Sequence, residues 1–317
     1  MGFEGLLGNE RLKENLARCL DRGRVAHFYL ISGPEGSGKH TLARLLGAAM
    51  LCKEQEKPCL RCSACRKAMA DTHPDFITVD DPEKKTVPVE LIRQARADIY
   101  VQPNEADRKV YMFPRAQDMG IPGQNALLKV LEEPPAYGVF ILLTDNPQKL
   151  LPTVRSRCTE LQLHALPEKV LKAQLAQEFP KATPEELAVA AAQSGGYLGQ
   201  AKTLLTSGAS VEPETEKIVE AFCSRNGVAM LQVMTSMEKW KRDQFIPLLQ
   251  QVTQLMHEAL MCRSGAGSLR PLARQLSTSR SARDLMDAIR ELKKCTEYAQ
   301  GNVSVAAICG YLTWNLR

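Results

Sequence analysis

Long hydrophobic runs are missing from this chain. No stretch of about 18 apolar residues occurs, which argues against a membrane-spanning helix. Met1 to Glu10 lacks the basic-then-apolar layout of a secretory leader. A strong excess of one charge is also missing, the net charge being only +5. Any nucleic-acid surface must then be a local patch, because the whole-chain balance is too weak to make one. A spread of cysteines suited to a disulfide framework is absent as well. Of the ten cysteines, four cluster between 52 and 65 and the others are scattered. That pattern suggests a cytoplasmic protein with one metal site. What is present is 44% apolar and 24% charged residues, the balance of a soluble globular chain. A length of 317 residues allows two or three domains with a sizeable core.

The chain is organised around Gly33-Pro34-Glu35-Gly36-Ser37-Gly38-Lys39-His40-Thr41. An apolar run, Phe28 to Ile31, precedes it, and a helical pattern, Thr41 to Met50, follows. A strand, a glycine-rich loop and a lysine at a helix start make the setting of a P-loop. The glycines let backbone N–H groups turn inward around a phosphate. The helix N-terminus adds partial positive charge, and Lys39 adds a mobile cation. Gly33, Gly36, Ser37, Gly38, Lys39 and Thr41 are therefore candidate phosphate-binding residues. One place departs from the motif. A Ser or Thr that ligates Mg²⁺ is expected directly after the lysine, and His40 stands there. His27, at the start of the strand, reads as a locally hydrogen-bonded histidine, with contact to a nucleotide or a neighbouring chain as the alternative.

Cys52, Cys59, Cys62 and Cys65 follow the P-loop helix at once. Four thiolates this close can form a tetrahedron around Zn²⁺, and a closed four-sulfur shell leaves no place for water. The implied role is structural. Lys53, Lys57, Arg61, Arg66 and Lys67 offset the charge of such a site. An iron–sulfur cluster is the rival, but its fourth cysteine usually follows the Cys-x2-Cys-x2-Cys run and carries a proline; here it precedes the run.

Asp75 to Val79 reads as a strand, Val89 to Ile99 as a helix, and Lys109 to Phe113 as a buried strand. In an active P-loop ATPase, acids at the end of that last strand serve the Mg²⁺ ion and the attacking water. Here Pro114 and Arg115 follow Phe113. Proline cannot bind metal, and arginine carries the wrong sign for a base. Asn125 to Glu133 reads as a helix stopped by Pro134-Pro135. Val139 to Leu143 and Thr159 to Leu163 read as two more strands, the second preceded by Ser156-Arg157-Cys158. Five strands interleaved with helices make an α/β sheet with crossover connections.

At this point the chain resembles the bacterial clamp-loader ATPase family of the AAA+ class. The residues that carry the resemblance are His27 to Leu30 with Gly33 to Lys39, the four cysteines, Asn125 to Pro135, and Ser156-Arg157-Cys158. The resemblance spans about residues 5–205, with a looser fit beyond. It implies an α/β P-loop (AAA+) domain with a parallel sheet and an inserted zinc module at 52–65, over residues 1–165. A small three-helix lid at 166–208 and an all-α collar at 209–317 are expected to follow. The family's ATPase subunits have Thr at His40 and Asp-Glu at Pro114-Arg115. They have arginine where Gly196-Tyr197-Leu198-Gly199-Gln200-Ala201 presents Gly199, the second-sensor position. By contrast Ser156-Arg157-Cys158 is intact. The resemblance implies that Arg157, beside Ser156, reaches into a neighbouring subunit's ATP site as an arginine finger. It also implies that the helix from Asn125 packs at the subunit boundary; its leucines fit a plain core helix equally.

Helical stretches are expected at Glu168 to Glu178, Pro184 to Gln193 and Gly199 to Leu205, with Gly195-Gly196 breaking the last two. Ser207 to Pro213 reads as a linker. From Glu214 onward the apolar spacing is helical, as in Met230, Met234 and Met237 or Leu248, Val252 and Leu255, and fits a bundle of about five helices. Arg263, Arg270, Arg274, Arg280 and Arg283 read as part of a solvated loop, interleaved with serine and glycine. No aromatics lie there to stack on bases, though phosphate contact through charge stays open.

The resemblance implies a non-hydrolysing subunit of a DNA-replication clamp loader, accessory to a DNA-directed DNA polymerase. Its partners would be gamma/tau-like and delta-like loader subunits, a sliding clamp, and primed DNA reached through the complex, with no membrane. ATP or ADP would be bound without turnover, or not at all, and a place for Mg²⁺ is in doubt. Two other readings stay open. One is a gamma/tau-like active ATPase in which Thr41 and Asp118 replace the missing groups. The other is a DNA-binding AAA+ adaptor outside replication.

Overall fold

The computed structural model describes residues 2–207, 212–264, 270–301 and 303–316. Most of the expected linker (208–211) and the stretch 265–269 lie outside the described residues. The first unit holds a sheet of five parallel strands: β1 (Phe28–Ser32), β2 (Phe76–Thr78), β3 (Lys109–Phe113), β4 (Gly138–Thr144) and β5 (Thr159–Gln162). Their order is β2-β3-β4-β1-β5. The three central strands are buried along their whole length, which is why they read as unbroken apolar runs.

Strand periodicity sorts those runs onto two faces. Tyr29, Ile31, Val110, Met112, Val139, Ile141 and Leu143 join one core with α1 (Glu10–Asp21), α2 (Lys39–Leu51) and α3 (Ser63–Met69). Phe28, Leu30, Tyr111, Phe113, Phe140 and Leu142 join the other, with α4 (Val89–Asp98), α5 (Ile121–Glu132) and α6 (Pro152–Arg155). Phe140 is the centre of that second face. It stacks on Phe28 at 4.8 Å, on Tyr111 at 5.3 Å and on Phe113 at 6.0 Å between ring centres. The order puts β1 between β4 and β5, so connections leave its two sides in opposite directions. Such a switch point opens a crevice beyond the strand's C-terminal end, and Gly33 begins there.

The helices that follow are α7 (Glu168–Glu178), α8 (Pro184–Gln193), α9 (Leu198–Ser207), α10 (Pro213–Cys223), α11 (Gly227–Met237), α12 (Arg242–Arg263), α13 (Pro271–Ser279), α14 (Ala282–Gln300) and α15 (Val305–Asn315). The chain divides into two compact units, Met1–Leu171 with Gly195–Gln200, and Lys172–Ser194 with Ala201–Arg317. The second has a core of its own, built from Phe245, Leu248, Val252, Met230, Met234 and Met237 among others. Capping boxes, Thr183 with Glu186 and Ser281 with Asp284, fix the starts of α8 and α14.

Three differences from the sequence expectations have physical causes. Helix α5 starts at Ile121, four residues early, because Pro122 in its first turn is already set for helical geometry. Helix α3 lies within the cysteine module. The arginine-rich segment is not a solvated loop throughout: Pro271–Ser279 is helical, and Arg270 and Arg280 are buried at 6% and 4% exposure. Arg280 donates through Nε and Nη2 to Phe222 O, at 2.8 and 2.5 Å, and its guanidinium lies 4.1 Å from the Phe222 ring. It therefore adds charged donors to a carbonyl at the C-terminal end of α10 that also accepts the Arg225 N–H at 3.2 Å.

Candidate functional site

The phosphate loop forms where the buried strand must give way to a helix. Gly36 and Gly38 take φ +73° and +96°, values that L side chains rarely adopt, so the loop can turn its amides only with glycine there. Gly33 N–H donates to Thr144 O at 3.2 Å and ties the loop to the end of β4. Lys39 opens α2 and folds back on the loop, donating to Gly33 O at 2.6 Å and Pro34 O at 2.8 Å. Burial lowers its pKa, and the carboxylates of Asp145 and Glu35 partly offset that. Ser37 Oγ is buried and, among the described residues, has no hydrogen-bond partner. A cationic lysine, left-handed glycines and an unpaired inward hydroxyl fit a phosphate group.

A backbone segment lies directly on this loop. Gly199 N–H donates to Gly36 O at 2.9 Å. A Cβ on Gly199 would sit 2.5 Å from Gly36 Cα, so the approach requires glycine at that position. Position 199 thus holds backbone against the loop where a longer side chain could not lie.

The residues around the loop do not fit Mg²⁺. His40 is exposed, and Thr41 lies within α2, half-buried. Arg115 is turned onto the 80–84 loop. Its Nε is 3.2 and 3.1 Å from the two oxygens of Asp80, and its Nη2 donates to Asp80 at 2.7 Å and to Asp81 O at 2.8 Å. Nη1 reaches Lys84 O at 3.1 Å. Hydrogen bonding to Asp80 raises the arginine's pKa further. Asp118 carries a carboxylate oxygen 3.9 Å from the same guanidinium.

Cys52, Cys59, Cys62 and Cys65 converge, with all four sulfurs within 4.8 Å of one another. Cys52 and Cys62 are 3.9 Å apart, as are Cys59 and Cys65. A tetrahedron with Zn–S bonds of about 2.3 Å has edges of about 3.8 Å, so these thiols fit Zn²⁺. Cys52 ends α2, and Cys62 caps α3 by accepting the Cys65 N–H. Backbone N–H groups of Arg61 and Cys62 bring the Cys59 pKa down to about 6, whereas burial pushes the Cys52 and Cys65 thiols up.

Arg157 is exposed, just past α6. Its Nη2 pairs with Glu132 Oε1 at 2.9 Å, and its Nη1 donates to Thr153 O at 3.0 Å. Ser156 Oγ donates to Thr153 O at 3.3 Å, and burial pushes the Cys158 thiol up to about 12. Among the described residues, no hydrogen bond or ion pair joins Arg157 to the loop at 33–41. The structure thus gathers the loop residues at one place, the cysteines at a second and the arginine at a third. Glu132 was not foreseen as the partner of Arg157. The pointer was there: two acids end a helix whose dipole disfavours them, just before Pro134-Pro135.

Comparison with known proteins bears on this arrangement. A family model described as DNA polymerase III, delta subunit, matches residues 8–167. The subunit delta' of Yersinia pestis is 29% identical over 290 residues, covering 86% of this chain and 83% of that protein. The subunit delta' of Pseudomonas aeruginosa is 34% identical over 203 residues, covering 63% and 61%. Subunit tau of Bacillus subtilis is 28% identical over 237 residues, covering 73% of this chain but 42% of its own length, so the chain spans less than half of that relative. With half of its length matched by the family model, the chain belongs to the DNA polymerase III delta-subunit family, among the bacterial clamp-loader AAA+ proteins.

Proposed function

We propose that this chain is a clamp-loader subunit of the delta' kind, which hydrolyses no ATP itself and lends Arg157 to a neighbouring ATPase subunit. One observation carries the reading: Arg115, where hydrolysis needs an acid, is held on Asp80, Asp81 and Lys84. A guanidinium so placed neither holds Mg²⁺ nor takes a proton from water. The loop keeps groups that can cradle a phosphate, so nucleotide without turnover is compatible with it. Arg157 is exposed, and among the described residues it pairs with Glu132 Oε1 and Thr153 O, partners that a phosphate can displace. In the neighbour's site it would stabilise charge on the transferring phosphoryl group. The cysteine cluster would hold one structural Zn²⁺, and α10 to α15 would serve as the oligomerising collar. Gamma/tau-like and delta-like subunits, a sliding clamp and primed DNA are the partners, in the cytoplasm.

Likeness to tau supports one rival, an active ATPase using Thr41 and Asp118. The Asp118 carboxylate lies toward Arg115, which weighs against it as a base. Two measurements decide. The purified chain alone should hydrolyse ATP no faster than background; a turnover abolished by Lys39→Ala would overturn the proposal. In the reconstituted complex, Arg157→Ala should preserve assembly and slow single-turnover hydrolysis at the neighbouring site by roughly 10³-fold. Unchanged hydrolysis would remove the finger.

A further inference from the structure

We infer that Gln124 is a positioning residue for the arginine finger, fixing the segment that carries Arg157 onto helix α5. The inference rests on the finger reading above. Gln124 lies in the early part of α5 with 3% of its surface exposed. A buried carboxamide is costly unless its groups are paired, and here both ends are used. Nε2 donates to Met119 O at 3.0 Å and to Lys149 O at 3.1 Å. Oε1 accepts the Leu151 N–H at 2.7 Å. One side chain therefore ties α5 to residues on both sides of Leu150.

From Leu151 the hydrogen bonds run on to the finger. Leu151 is the N-cap of α6, and its carbonyl accepts the N–H groups of Val154 and Arg155, both at 3.0 Å. Val154 O then accepts the N–H of Arg157 at 3.1 Å. At the other end of α5, Glu132 holds the guanidinium. Leu150 and Val154 anchor the same segment by burial at 3% and 1% exposure. Burial alone has no direction, so it permits the segment to rotate or slide. The three bonds of Gln124 remove that freedom. A finger acts only when its donors lie at hydrogen-bond distance from the reacting group, and a shift of about 1 Å costs up to about 100-fold.

The test uses the full chain in the reconstituted complex, with ATP as the probe. Gln124→Met keeps the volume and deletes all three bonds. The expected result is assembly at wild-type affinity, an unchanged KM for ATP, and a kcat lower by about tenfold. The double variant with Arg157→Ala should be no slower than Arg157→Ala alone, because both act through one group. An unchanged kcat, or a multiplicative loss in the double variant, overturns the inference and leaves the finger standing. Loss of assembly together with kcat also overturns it, assigning Gln124 to the fold in general. No effect of Arg157→Ala itself removes the finger, and this inference with it. A second variant covers poor folding of the first. The Gln124→Glu side chain can donate to a carbonyl only when protonated, and burial favours that form. Its kcat relative to wild type should rise from pH 8 to pH 6; a flat ratio overturns the inference.

Discussion

Asp75 has no exposed surface and still works as a carboxylate. Burial alone would raise its pKa, but the N–H groups of Asn104, Glu105 and Ala106 outweigh it and hold the value below the ordinary one. Their distances are 2.6, 2.8 and 3.0 Å, and Asn104 Nδ2 adds a fourth donor at 3.0 Å. Asp75 thus fixes the 104–106 loop to the start of β2. Because the native pKa is depressed, its contribution is present above the unfolded value and is lost as pH falls through the native one. Asp75→Asn presents an amide N–H₂ to some of these donors and should cost roughly 2–3 kcal/mol near neutral pH. Denaturant midpoints from pH 7 down into the acid range measure it. The gap between variant and wild type should close at the acid end, and a constant gap would exclude the carboxylate as its source. Nothing in the sequence marks Asp75 or Gln124, since each is one polar residue whose partners come from distant or irregular backbone. Lys39 and the four cysteines were legible because their chemistry is local in sequence.

At the scale of elements, what could be read was what depends on periodicity. β3, α7 and α8 have the expected bounds, since apolar spacing and caps decide them. Helix α3 was not legible: its seven residues serve a cysteine cluster rather than an apolar stripe. Helix α13 was hidden by arginine and serine composition, because its buried side is just Ala273 and Leu276. Contact of the 195–200 segment with the loop was equally hidden, since glycine pairs signal only a break. That contact can be tested by sign. Gly199 lies in the first turn of α9, where alanine alone would help the helix by up to about 1 kcal/mol. A Cβ there meets Gly36 Cα at 2.5 Å and Gly36 O at 2.9 Å, with backbone that cannot swing away. Such overpacking costs about 1–3 kcal/mol. Gly199→Ala should therefore lower the melting temperature; a rise would show that the segment does not rest on the loop.

At the scale of the whole molecule, the two units hold separate cores, and the cysteine cluster belongs to one of them. Cys52 and Cys65 are buried within the α/β core beside Leu51 and Ala68. Closing the cluster with Zn²⁺ would replace four thiols, two of them buried and two half-buried, with one bonded shell, and metal bound only by the folded chain adds its binding energy to folding. The purified chain should contain about one zinc ion. Removing it should destabilise the α/β unit, beginning at α3. The two tryptophans, Trp240 and Trp314, lie in the helical unit, and Trp240 packs against that unit's core. Tryptophan fluorescence thus follows one unit, while calorimetry records both. With a chelator, the calorimetric transition of the α/β unit should move to lower temperature, and the fluorescence midpoint should stay. If the fluorescence midpoint fell by the same amount, the cores would be melting as one, and the zinc module would be supporting the helical unit as well as its own. If neither moved, the thiols would be holding α3 without metal.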